Sequence, residues 1–213
     1  VLFDMDGLLV DTEPLWFETE GEVMARLGGG PWTKEDQEAL LGGSMDNTVG
    51  YLLARAAEPA LPSEVARWMT EGMLKRAAEG RVAVRPGARE LLDEVAAAGI
   101  PHALVTGSQR PFTEAVLAST GFRFPVVVTG DDVTRTKPDP EPYLLAAKLL
   151  TAAPANSVAL EDSPNGVASA TTAGCRVIAV PSLLPIPPAP GRLVAESLTK
   201  ISLTTLRSLA LQP

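Results

Sequence analysis

Ser157-Val-Ala-Leu-Glu-Asp-Ser-Pro-Asn-Gly-Val-Ala-Ser-Ala-Thr-Thr-Ala-Gly-Cys-Arg-Val-Ile-Ala-Val180 holds a complete strand, helix and second strand in one stretch. The apolar run Ser157–Leu160 stops at Glu161-Asp162, a helical pattern fills 163–173, Gly174 ends it, and Arg176–Val180 is β-branched again. A strand, a helix and another strand in such close succession read as a parallel crossover unit. Working back along the chain, the pattern repeats. The runs His102–Val105 and Pro125–Val128 alternate with helical patterns at 87–98, 109–119 and 140–151, and Gly99 and Gly121 stand where helices should stop. The expected fold class is therefore α/β, a doubly wound parallel sheet.

The first part of the chain breaks this rhythm. Val1-Leu-Phe3 is a strand stub cut off by Asp4-Met-Asp-Gly7, and from about 14 to 80 strand signals give way to helical ones, such as Glu18–Leu27 and Pro62–Met69. The expected organisation is a core of residues 1–13 and 82–213, with a helical domain of residues 14–81 inserted after the first strand. Its junctions fall near Asp11–Pro14 and Gly80–Pro86. Pro181–Pro190 suits an extended surface loop, and Leu193–Leu209 a returning strand and helix.

Composition narrows the function. Across 213 residues, 18 Lys+Arg face 26 Asp+Glu, giving a formal charge of -8, and no basic run offers a footprint for nucleic acid. No apolar run is long enough to cross a bilayer and no leader pattern precedes the first motif, so no membrane partner and a cytoplasmic location are expected. The single cysteine, Cys175, excludes an intrachain disulfide and a multi-cysteine zinc site, and it is expected to pack as a small apolar residue. A monomer is expected.

In an open α/β sheet, ligands bind beyond the carboxyl ends of the strands. Here those ends carry Asp4, Thr106, Asp131 and Glu161-Asp162. Carboxylates gathered at one edge repel one another and need a cation, and with oxygen ligands alone Mg²⁺ is the natural choice. A metal site of that kind recruits phosphate. Asp4 is then the candidate nucleophile toward phosphorus, with Asp6 as general acid and then base. Thr106 and the Gly107 amide can bond a phosphoryl oxygen, and Lys137 supplies a positive point charge for the transition state.

Phe3-Asp-Met-Asp-Gly-Leu-Leu-Val-Asp-Thr-Glu-Pro14, Val105-Thr-Gly-Ser108, Lys137-Pro-Asp-Pro140 and Leu160-Glu-Asp-Ser-Pro-Asn-Gly166 together resemble the four ordered motifs of the haloacid dehalogenase-like hydrolase superfamily. The insert resembles the helical cap of the branch that contains sugar-phosphate phosphatases and β-phosphoglucomutase. The resemblance implies a Rossmann-like core acting on a small phosphate ester. It implies Asp4 as nucleophile, Asp6 as acid and base, Thr106 as phosphate binder and Lys137 as electrostatic stabiliser; Gly107 and Ser108 are expected to bind substrate phosphate beside Thr106. Mg²⁺ would be held by the Asp4 side chain, the Asp6 carbonyl and Asp162, with Glu161 as a ligand or just behind.

Asp6 argues against a dehalogenase, which lacks that acid. The cap lysines Lys34 and Lys75 are not placed to form the Schiff base of a phosphonoacetaldehyde hydrolase. A phosphomutase is the alternative to a phosphatase, but its pattern carries an Arg after a Gly-x-Ser cap turn and a His on the helix after the first motif. Here the turn is Gly42-Gly-Ser-Met45 and the helix position is Trp16. A non-catalytic phospho-acceptor domain would place its acidic pair on the first strand, whereas Glu161-Asp162 follow Lys137.

Blander roles are expected elsewhere. Ser163 should cap a helix, Asp131 and Asp132 belong to a loop, His102 packs structurally, and the tryptophans fill cores. Trp16 is the exception, expected to roof the substrate pocket, and Ser44 lies in the cap segment expected to set selectivity. Asp11 and Thr12 are expected to brace the hinge, with Thr12 capping the first cap helix.

Overall fold

The structure is a computed structural model that describes residues 1–40 and 44–211. It opens with β1 (Leu2–Phe3) and β2 (Val10–Asp11), followed by the helices α1 (Glu13–Arg26), α2 (Lys34–Leu40), α3 (Met45–Ala54) and α4 (Pro62–Ala78). The chain then alternates: β3 (Ala83–Val84), α5 (Ala88–Ala97), β4 (Ala103–Val105), α6 (Arg110–Thr120), β5 (Val126–Val128), α7 (Glu141–Leu149), β6 (Val158–Glu161), α8 (Pro164–Thr172), β7 (Arg176–Ala179), β8 (Arg192–Val194) and α9 (Leu203–Ala210). Gly42 and Gly43 of the cap turn lie outside the described residues.

Six strands form one parallel sheet in the order β5-β4-β1-β6-β7-β8. Side chains on a strand alternate between faces, and the strand sequences use both. Phe3, Leu104, Leu160 and Ile178 join a core with residues of α5, α6 and α9. Their neighbours Leu2, Ala103, Ala159, Val177 and Ala179 join a second core with Tyr143 and Ala146 of α7 and Val167 and Ala170 of α8. Burial on both faces is why these strands read as continuous apolar runs rather than alternating ones.

The order reverses at β1. After β5 the chain crosses back to lay β6 on the other flank of β1, which opens a crevice at the carboxyl ends of β4, β1 and β6. The helices α1, α3 and α4 pack around a separate apolar cluster of Val23, Met24, Leu27, Val49, Leu52, Val65 and Met69. The chain enters and leaves them through an antiparallel ribbon in which Val10 pairs with Val84 and Asp11 with Ala83. Two residues per strand are too few to give a periodic signal, so the ribbon was invisible in the sequence. The proline-rich segment is irregular as expected, but it is not wholly a surface loop. Ile186 buries itself in the second core and pins the segment beside β7, which β8 then extends. Among the described residues no helix is long and apolar enough to cross a membrane.

Candidate active site

Asp4 is the first residue after β1, and its N–H donates to the carbonyl of Leu160, tying the β1 end to β6. Thr106 follows β4, Glu161 ends β6, Asp162 comes next, and Lys137 reaches in from the loop after β5. The Lys137 ammonium is held by three acceptors: Asp4 Oδ1 at 2.6 Å, Glu161 Oε1 at 2.6 Å and the Val105 carbonyl at 2.8 Å. Burial works against the lysine's charge, but Asp4 and Glu161 outweigh it and hold the ammonium above the usual lysine range.

Around that cation the carboxylates are in excess. Oxygens of Asp4, Glu161 and Asp162 lie within 4.8 Å of one another, and all three residues are buried. Burial pushes the Asp4 carboxyl well above the aspartate range; Lys137 pulls the other way, while Glu161, Asp162 and Asp6 add to the rise. Burial, with Glu161 next, also pushes Asp162 up to about 7, against the bond from Ser182 that pulls it down. Asp4 Oδ2 is buried without any hydrogen-bond donor among the described residues. Three carboxylates, one ammonium and one orphaned anionic oxygen fit a divalent cation, and an all-oxygen donor set suits Mg²⁺. Glu161 has less to offer an ion than the other two, because Oε1 already accepts from Lys137 and Tyr143 and Oε2 from the Asp162 N–H and Ser163 Oγ.

Two glycines make room for this cluster. Gly7 has φ +83°, and a Cβ there would overlap the Asp162 carboxylate. A Cβ on Gly166, in the first turn of α8, would overlap the carboxylate of Glu161.

The Asp6 side chain stands apart from the three-carboxylate cluster. Its Oδ1 accepts from Thr12 Oγ1 at 2.8 Å, and its Oδ2 from Ser108 Oγ at 2.8 Å and Thr106 Oγ1 at 3.1 Å. Thr12 therefore does something other than expected. It sits at the N-cap of α1 without a side-chain cap bond and spends its hydroxyl on Asp6 instead. Thr106 Oγ1 also accepts from the Ser108 N–H, which folds the Thr106-Gly107-Ser108 turn around Asp6.

Above these groups lies a cavity of about 660 Å³, lined on the core side by Asp4, Asp6, Thr106, Gly107, Ser108, Lys137 and Asp162. Trp16 faces it from α1 and packs edge-on against Phe112 of α6, the ring centroids 6.1 Å apart. Ser44 lies on the cavity wall, where its hydroxyl caps α3 by accepting the Asn47 N–H. Glu13, Glu20 and Gln37 share that wall. Gln37 Nε2 donates to Glu13, and Trp32 Nε1 to Glu20, whose carboxyl burial pushes up to about 7. Among the described residues lining the cavity, Lys137 is the one lysine or arginine.

Ser163 caps α8 by accepting from the Gly166 N–H. Asp131 accepts from the Arg110 N–H, and Asp132 caps its own turn through Thr129 and pairs with Arg110. His102 is buried, with Nδ1 2.9 Å from the Ile100 carbonyl, and Cys175 is buried and free. Tyr143 and Ser182 reach the site without a signal in the sequence. Tyr143 reads as a core aromatic on an amphipathic helix, and Ser182 lies in a proline-rich stretch; no spacing links either to an acid.

A model of haloacid dehalogenase-like hydrolases matches residues 1–180. Over 191 residues the chain is 38% identical to protein CbbY of Cereibacter sphaeroides, covering 85% of this chain and 83% of that protein. Hexitol phosphatase A of Escherichia coli K12 is 39% identical over 181 residues, 84% of this chain and 81% of that one. A crystal structure of a CbbY mutant from Rhodobacter sphaeroides in complex with xylulose-(1,5)bisphosphate superposes with a TM-score of 0.87 at 32% identity, covering 96% of this chain and 97% of the other. The chain belongs to the haloacid dehalogenase-like hydrolases, enzymes whose sugar-phosphate phosphatase and β-phosphoglucomutase branch carries this core and helical insert.

Proposed function

We propose that the protein is a Mg²⁺-dependent phosphomonoesterase acting on a small phosphorylated sugar or polyol through a phosphoryl group carried on Asp4. The observation that carries this reading is the Lys137 ammonium bonded to both Asp4 and Glu161 while Asp4 Oδ2 finds no hydrogen-bond donor among the described residues. The Asp4 carboxylate attacks phosphorus and the bond from phosphorus to the ester oxygen breaks. Asp6, in its protonated form, gives its proton to the departing oxygen, which leaves as the alcohol. Asp6, now a carboxylate, takes a proton from water as that water attacks the phosphoryl group. The bond to Asp4 then breaks, releasing inorganic phosphate and restoring the Asp4 carboxylate.

Lys137 and the Gly107 N–H would meet the phosphoryl oxygens, since the Thr106 and Ser108 hydroxyls are donated to Asp6. Mg²⁺, held by Asp4, Asp162 and the Asp6 carbonyl with Glu161 beside them, would offset the charge of the phosphate against the carboxylates. Thr12, Ser108 and Thr106 donate to the Asp6 carboxyl and fix its orientation. The helical insert of residues 14–81 acts as a cap, and Trp16 roofs the bound ester and excludes bulk water.

The sugar or polyol class rests on relatives named for hexitol phosphates and on one crystallised with xylulose-(1,5)bisphosphate. A phosphomutase would need a cation on the cap wall for a second phosphate. None of the cap arginines Arg26, Arg55, Arg67 and Arg76 lines the cavity, and each is engaged elsewhere: Arg26 over the Trp68 ring, Arg55 with Asp36, Arg67 with Glu71 and Arg76 with Glu18 and Glu22. A monomeric enzyme of the cytoplasm completes the reading. The test is phosphate release from a panel of sugar and polyol monophosphates, with Mg²⁺ and with EDTA. Metal-dependent release that Asp4→Asn abolishes supports the reading. Isomerisation of a hexose phosphate on addition of a bisphosphate, without release, overturns it.

A further inference from the structure

We infer that Tyr143 is a positioning residue for Lys137, acting through Glu161; the inference rests on the phosphatase reading for what Lys137 does. Tyr143 and Glu161 are each fully buried, and the Tyr143 hydroxyl donates to Glu161 Oε1 at 2.5 Å. That is the oxygen on which Lys137 Nζ also lies, at 2.6 Å. Two donors thus share one carboxylate oxygen, and the lysine among them bonds Asp4 with another of its protons. The tyrosine ring also stands beside the ammonium, 5.1 Å from Nζ to the ring centre.

The physical effect is a division of charge. A buried carboxylate with one donor on an oxygen holds that donor as tightly as it can, whereas a second donor on the same oxygen draws off part of its electron density. The Tyr143 hydroxyl therefore weakens the hold of Glu161 on Lys137 and leaves the ammonium more available to Asp4 and to an incoming phosphoryl oxygen. Placement supports this. Tyr143 lies in the first turn of α7, the helix that directly follows the loop carrying Lys137.

Tyr143→Phe keeps the ring and removes only the shared hydrogen bond. For the best substrate of the panel, kcat is expected to fall about tenfold while KM stays within about twofold, because the effect lies on the transition-state charge and not on ground-state binding. A second readout does not need turnover. The chain has five lysines, and in protein labelled with ¹³C-lysine the Lys137 ε-methylene signal, assigned by its loss in Lys137→Arg, is expected to move in Tyr143→Phe while the other four stay in place. If Tyr143→Phe does not fold, 3-fluorotyrosine incorporated into Tyr51→Phe leaves position 143 as the one labelled site and makes its hydroxyl a stronger donor. The Lys137 signal is then expected to shift. An unmoved Lys137 signal, or loss expressed mainly in KM, overturns the inference. Wild type that releases no phosphate from any ester defeats the phosphatase reading instead, and the lysine signal still decides the role of Tyr143.

Discussion

Replacing Lys137 by Met exposes how much of the site hangs on one charge. The methionine side chain fills similar space, but it removes the ammonium from Asp4, Glu161 and the Val105 carbonyl at once. Both carboxylates stay buried, and neither Asp4 nor Glu161 is more than a few per cent exposed. Removing one partner of a buried ion pair costs about 3–5 kcal/mol, because the remaining charge is left uncompensated. In a domain of this size each kcal/mol is worth about 2–4 °C of melting temperature. A metal-free melting temperature lower by about 6–20 °C follows, unless the cluster protonates to relieve itself. The catalytic loss is independent of that relief. Loss of a preorganised charge at the phosphoryl group costs about 3–4 kcal/mol, so kcat should fall on the order of 10²–10³. Scanning calorimetry in EDTA and initial rates of phosphate release in saturating Mg²⁺ measure the two effects separately. A folded Lys137→Met enzyme with kcat within tenfold of wild type would refute the role assigned to Lys137.

Other consequences are equally direct. Gly166→Ala places a methyl where the Glu161 carboxylate lies; activity should fall at least tenfold although alanine is the better helix former, and an active Gly166→Ala would contradict the packing. Without metal, Asp162 and Glu20 each hold their proton up to about 7 in the folded state, burial being the leading cause in both. An unfolded chain releases those protons near pH 4, so the folded state binds more protons between about pH 4 and 7, and stability in EDTA should decline as pH rises through that window. Mg²⁺ competes with the proton on Asp162, so its stabilising effect should be larger at pH 8 than at pH 5; urea midpoints with and without metal show whether it is.

The parallel sheet was legible because its central strands β1, β4, β6 and β7 are buried on both faces. The expected run 157–160 overlaps β6 at Val158–Glu161, and the expected helix 163–173 becomes α8 at Pro164–Thr172. The acids at the strand ends were legible too, since an open sheet sends such residues to one edge. What escaped notice depended on contacts between distant residues. Nothing local tells that the Thr12 hydroxyl turns to Asp6, that Tyr143 reaches Glu161, or that Ser182 bonds Asp162. The Asp6 side chain likewise lies two residues from Asp4 in sequence, but it is held by the β4 turn and by Thr12 rather than joining the carboxylate cluster.

In the proposed reaction the phosphoryl group passes through a covalent bond to Asp4. A single turnover with ³²P-labelled substrate in Mg²⁺, quenched in acid within milliseconds, followed by digestion and peptide mapping, looks for that bond. The expected result is transient label on the peptide containing Asp4, decaying as free phosphate rises and absent in Asp4→Asn. Phosphate release at full rate with no labelled peptide at any time, or label that persists in Asp4→Asn, would contradict it.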